Sequence, residues 1–163
     1  VKSLERRSDI IMIRFSGEIL IERPAEEIFD FVADERNNYA PRVRRTEMVT
    51  EGPIGVGTQF RSESVGTKDT IPMTVEITEY QRPTRLASTT RLSTMDIHNT
   101  LVFEPKDGGT LLRWQSGLAP RGAYKLLYPV VALAGKRQTS HLWENLKRTL
   151  EARNSRQPDP TEE

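Results

Sequence analysis

Few side chains in this 163-residue sequence are equipped for chemistry, and their spacing decides what they could do. Asp96 and His98 stand two apart, so on a strand they point the same way and could serve as an acid and a base. His141 and Glu144, three apart, would be neighbours on a helix, where such pairs are usually solvated. There is no cysteine, which excludes disulfides, thiolate metal ligands and a thiol nucleophile. The two histidines, His98 and His141, lie far apart in the sequence and lack ligand spacing, so no metal site is expected; no cofactor is expected either. Gly52, Pro53, Gly55 and Gly57 superficially suggest a phosphate cradle. The Lys-Ser/Thr ending and following helix of such a loop are missing, so this segment reads as a strand connection.

Charge narrows the partners. Twenty-four Lys and Arg against 23 Asp and Glu leave a net charge of +1, spread along the chain. A phosphate-tracking stripe is absent, and no nucleic-acid partner is expected. Arg42, Arg44 and Arg45 form the longest basic run, which suits a strand edge kept charged against aggregation. No apolar stretch approaches the roughly 20 residues that span a bilayer. The reading is a soluble cytoplasmic protein without stable membrane insertion.

The elements that must position any site follow from periodicity. From Ile10 to Glu22 the sequence reads as a first strand, with Phe15, Gly17, Ile19 and Ile21 on one face. Arg23-Pro24 stops it, and Pro24 is tolerated at a first helical position because its missing N–H has no helical partner there. Ile28, Phe29 and Val32 recur at helical spacing, and Asp34 is placed to cap a second short helix ended by Pro41. From Val43 to Leu118, β-branched and aromatic residues alternate with charges between turn signals. This predicts six strands at 43–50, 57–65, 71–81, 84–92, 95–104 and 110–118, joined as antiparallel neighbours. A helical stripe then runs to Arg153, with a kink or fresh start expected at Pro129. The organisation is a flexible tail at 1–9, one α+β domain at 10–153 and a disordered polar tail at 154–163.

The register of 95–118 is the best specified, because Asp107-Gly108 is a strong two-residue turn. It pairs Phe103 with Leu112, Leu101 with Trp114, Asn99 with Ser116 and Ile97 with Leu118, all on one face. Asp96 and His98 fall on the other. The apolar set must be inside, so Asn99 and Ser116 sit among buried neighbours, as the polar furnishings of a pocket do. The hairpin at Arg82-Pro83 similarly groups Met73, Val75 and Ile77 with Leu86, Ser88 and Thr90, and Phe60, Ser62 and Ser64 share a face. Such small polar groups either bond one another or meet a ligand.

Three segments carry a family resemblance: GEILIERPAEEIFDFVAD at 17–34, EGPIGVGTQF at 51–60 and WENLKRTLEAR at 143–153. With the order strand, two short helices, six strands, long helix, the chain resembles the START-like, or SRPBCC, superfamily, in its polyketide cyclase/dehydrase and lipid-transport branch. The resemblance implies a helix-grip fold: a seven-stranded curved antiparallel sheet wrapped around a long C-terminal helix, with a cavity between them that opens near that helix's first turns. It implies Tyr124 and Tyr128 as a gate, with Val131 joining the lining candidates Phe60, Ser62, Ser88, Thr90, Asn99, Leu101, Phe103, Trp114 and Ser116. The leading function is binding of a small hydrophobic lipid-, polyketide- or aromatic-type molecule. The alternatives are a polyketide cyclase, aromatase or dehydratase, and an interaction module for a protein partner or a quinone.

Overall fold

Alternating burial along β1 (Ile13–Ile21) and an apolar stripe on α1 (Ala25–Ala33) give each element one face to hide. The computed structural model describes residues 12–66 and 68–153. After α1 come a 3-10 turn (Glu35–Asn37), β2 (Val43–Met48), β3 (Gln59–Val65), β4 (Thr70–Gln81), β5 (Arg85–Arg91), β6 (Met95–Lys106) and β7 (Gly109–Pro120). A 3-10 helix (Gly122–Leu127) then leads into α2 (Tyr128–Ala152). The tails expected at 1–9 and 154–163, and the strand residues Ile10 and Ile11, lie outside the described residues.

The seven strands form one antiparallel sheet in the order β1-β7-β6-β5-β4-β3-β2, with α2 against its inner face in a helix-grip arrangement. β2 is an edge strand, and Arg44 and Arg45 on it are exposed, as a charged edge requires. Its register shifts between Arg44 and Glu47, where Arg45 takes a positive φ of 52°.

Two local expectations become definite. The second short helix is a single turn: Asp34 caps it by accepting from the Arg36 N–H at 3.1 Å, and Asn38 ends it in a left-handed conformation. Pro129 produces a fresh start and no kink, because it lies in the first turn of α2, where no helical N–H is missed. At 25 residues α2 is about 37 Å long and crosses the sheet.

Two glycines set how closely the parts approach. A Cβ on Gly135 of α2 would lie 2.8 Å from Leu118 Cδ1 and 2.9 Å from Phe15 Cε2, so only glycine lets the helix settle there without displacing them. On β1, a Cβ at Gly17 would lie 2.5 Å from Trp114 Cζ2, and the indole occupies that space. Part of the core lies where α1 and the end of α2 meet the sheet. Phe29 meets Tyr80 edge-on at 5.0 Å and Phe103 at 5.3 Å, and Leu112, Leu146 and Leu150 are fully buried beside them.

Candidate functional site

The Asp107-Gly108 turn, with Gly108 at φ 81°, pairs β6 and β7 in the register that its residue types specify. Asn99 therefore faces Ser116, whose Oγ donates to Asn99 Oδ1 at 2.6 Å. On the next strand Ser88 faces Asn99, and Ile77 faces Ser88 from β4. These inner-face positions form the floor of a small, partly open cavity of about 40 Å³. Ile77, Leu86, Ser88, Asn99 and Leu101 line it from the sheet, Val32 and Ala33 from α1, Glu35 and Tyr39 from the segment after α1, and Leu142 and Trp143 from α2.

A second, open groove of about 540 Å³ lies where β1 meets the middle of α2, lined by Arg14, Phe15, Ser16, Gly17, Trp114 and Ser140. The rings of Trp114 and Trp143 stack with centroids 5.9 Å apart and 22° between planes. One ring belongs to the groove wall and the other to the cavity wall, so the stacked pair lies between the two spaces.

Of the residues expected at a site, Ser88, Asn99 and Leu101 line the cavity and Trp114 lines the groove. Ser116 is one bond removed, holding Asn99. Phe60, Thr90 and Phe103 are buried in the sheet's inner face outside the cavity lining. Ser62 donates to Thr46 Oγ1 at 3.0 Å instead, a cross-strand partner from β2. Tyr124 is exposed on the 3-10 helix. Tyr128 and Val131 belong to the first turns of α2, and their side chains lie outside the described residues. Asp96 and His98 are on the outer face, where Asp96 pairs with Arg121 at 2.5 Å and His98 Nδ1 lies 3.1 Å from Thr89 Oγ1. His141 and Glu144 are both exposed.

Sequence reasoning missed Glu35, Tyr39 and Trp143. Trp143 lies three and seven residues before Leu146 and Leu150, a helical stripe that could have revealed it. Glu35 gave no such signal, because a carboxylate between Asp34 and Arg36 looks like an ordinary solvated helix start. Arg36 forks onto Asp34 through Nε and Nη2, both at 2.8 Å, and this hydrogen bonding holds the Asp34 carboxyl below the usual range. Glu35 has no ion pair among the described residues. Burial, with the Asp34 charge adding to it, pushes its carboxyl up to about 7. Burial, and then the Glu35 charge, raises the Tyr39 phenol well above its ordinary value. A carboxyl that titrates near neutrality can donate, accept or move a proton on whatever occupies the cavity. Among the described residues no group of three or more His, Asp or Glu could hold a metal ion, and no helix is long and apolar enough to cross a membrane.

The family model described as polyketide cyclase / dehydrase and lipid transport matches residues 12–151. The chain belongs to this family. That places it in the START-like, or SRPBCC, superfamily, as its three sequence segments implied. Among solved structures it is similar to the Zhui aromatase/cyclase from Streptomyces sp. R1128, at 15% identity over 88% of this chain and 96% of that one, with a TM-score of 0.69. It is also similar to TTHA0849 from Thermus thermophilus, at 19% identity, 85% and 97% coverage and a TM-score of 0.72. SA2116 from Staphylococcus aureus, a protein of unknown function, matches at 10% identity, 90% and 98% coverage and a TM-score of 0.73. At these identities the likeness establishes the helix-grip fold. No curated protein matches the sequence.

Proposed function

We propose that this protein binds a small, largely apolar molecule between the sheet and α2, for carriage, sensing or sequestration. The observation that carries the reading is the small cavity between sheet and helix, apolar except for Ser88, Asn99, Glu35, Tyr39 and Trp143, and separated from an open groove by one stacked pair of rings. An apolar space with a few converging polar groups is the usual make-up of a ligand site. At about 40 Å³ the cavity alone is far smaller than the roughly 300–1,000 Å³ of such sites. Cavity and groove together come within that range, so binding on this reading includes a shift of the Trp114–Trp143 pair. The protein is taken to be soluble and cytoplasmic. An environment-sensitive apolar dye should bind saturably and be displaced by an aromatic or lipid competitor. Failure to take up the dye, with crystals grown in ligand showing the space still closed, would end this reading.

One observation favours an enzyme of the cyclase or dehydratase type. Glu35 is a carboxyl in the cavity wall that titrates near neutrality, and such enzymes need little beyond a shaped space and one acid or base. Turnover of a polyketone substrate that is abolished in Glu35→Gln, with substrate binding retained, would establish the enzyme over the carrier.

A further inference from the structure

Two cavity residues give this space a chemical preference that its aliphatic walls lack. Trp143 is 4% exposed, and its Nε1 is buried with no hydrogen-bond partner among the described residues. A buried indole N–H ordinarily has an acceptor, and the ring forms part of the cavity wall. Of the polar groups nearby, Asn99 Oδ1 already receives the Ser116 hydroxyl at 2.6 Å. Nε1 is closed to a water-sized molecule while the rings stay stacked, so an acceptor oxygen carried by an occupant would reach it, and give it the bond it lacks, once the Trp114–Trp143 pair shifts.

The charge at the site selects among acceptors. No Lys, Arg or His lines the cavity, and the neighbouring Arg36 is engaged by Asp34 through both fork nitrogens. A carboxylate or phosphate entering the cavity would lose its water, meet the negative charges of Asp34 and of ionised Glu35, and find no counter-cation there, since Arg14 lies in the groove on the other side of the stacked rings. A ketone, aldehyde or ether oxygen would carry none of that cost. We infer that the cavity selects uncharged ligands that present a carbonyl-type acceptor to Trp143 Nε1, and that Glu35 makes it reject carboxylates, free fatty acids among them. The surroundings that raise the Glu35 carboxyl to about 7 are the same ones that would resist a ligand's negative charge. This inference rests on the binding reading above and names the ligand class for it.

The test is equilibrium dialysis of the full chain at pH 8 against three probes of one ring system: naphthalene, methyl naphthyl ketone and naphthoate. The ketone is expected to bind about threefold to tenfold more tightly than naphthalene, the range of one neutral hydrogen bond. Naphthoate is expected to bind at least about tenfold more weakly than the ketone, and Glu35→Gln should narrow that gap. Trp143→Phe keeps a ring and removes the N–H, so within that variant the ratio of ketone to naphthalene affinity should fall to about one. If no probe binds, the binding reading itself fails. If naphthoate binds as well as the ketone, or the ketone's advantage survives Trp143→Phe, the selectivity is overturned while the pocket stands. Should Trp143→Phe fail to fold, the ranking of the three probes on the wild-type protein decides the matter.

Discussion

The two halves of α2 are built differently although they belong to one continuous helix. In the C-terminal half Trp143, Leu146 and Leu150 are buried against α1 and the sheet. Side chains tie that half down: Arg23 Nη2 donates to the Leu150 carbonyl at 2.9 Å, and Asn145 Nδ2 to the Tyr39 carbonyl at 2.6 Å. A guanidinium at the last carbonyls also suits the negative end of the helix dipole. The N-terminal half leaves Val130 and Leu133 in water, the latter 59% exposed, and the 3-10 helix before it exposes Leu126 at 85%. Burial and exposure are thus concentrated at opposite ends of one element, and the cavity lies beside Leu142 and Trp143, where they meet.

The contrast is broken most directly by truncating one leucine at each end. Leu146→Ala removes a fully buried side chain and is expected to lower stability to urea by about 2–5 kcal/mol. Leu133→Ala should change it by no more than about 0.5 kcal/mol. Equal losses would mean that the exposed end also packs. A smaller effect is expected at the floor of the cavity. Asn99→Leu deprives the buried Ser116 hydroxyl of its acceptor and should lower stability by about 1–3 kcal/mol. An unchanged urea midpoint would show that Ser116 has a second acceptor.

The same division marks what the sequence could reveal. The Asp107-Gly108 turn fixed the β6–β7 pairing, and with it the meeting of Asn99 and Ser116, because a tight hairpin leaves no freedom of register. Inner-face membership of Ile77, Leu86 and Ser88 was legible from alternation alone, although the β4–β5 register shifts between Ile77 and Glu79. Which inner-face residues border empty space was not, because that depends on where α2 and the 34–39 segment come down on the sheet. Ser62 shows the cost: alternation put it inside, while only the fold supplies Thr46 as its partner. Glu35 was illegible because its desolvation comes from long-range packing, while its sequence neighbours are those of a surface turn.

Glu35 sharpens the comparison through pH. Its folded value of about 7 lies above the ordinary 4.5, so the folded protein holds this proton more tightly than the unfolded chain. The associated stability is full below about 4.5 and is lost as pH rises to about 7. Glu35→Gln should remove that loss and be more stable than wild type at pH 8, relative to pH 4, by about 1–2 kcal/mol. The full shift would give about 3 kcal/mol, and partial contact with water reduces it. Parallel urea curves for the two proteins across this range would contradict a desolvated carboxyl. The smallest effect is kinetic: amides at 122–132 should exchange at least about tenfold faster than those at 142–150, and uniform protection along α2 would erase the distinction between its halves.

The central claim is that a small molecule enters beside the Trp114–Trp143 pair, and these are the chain's only tryptophans. Their intrinsic emission, titrated with methyl naphthyl ketone, therefore reports on the site without a label. A saturable change at one ligand per chain, reversed by dialysis, is the expected result. Unchanged emission with no bound ligand at saturating probe would contradict it.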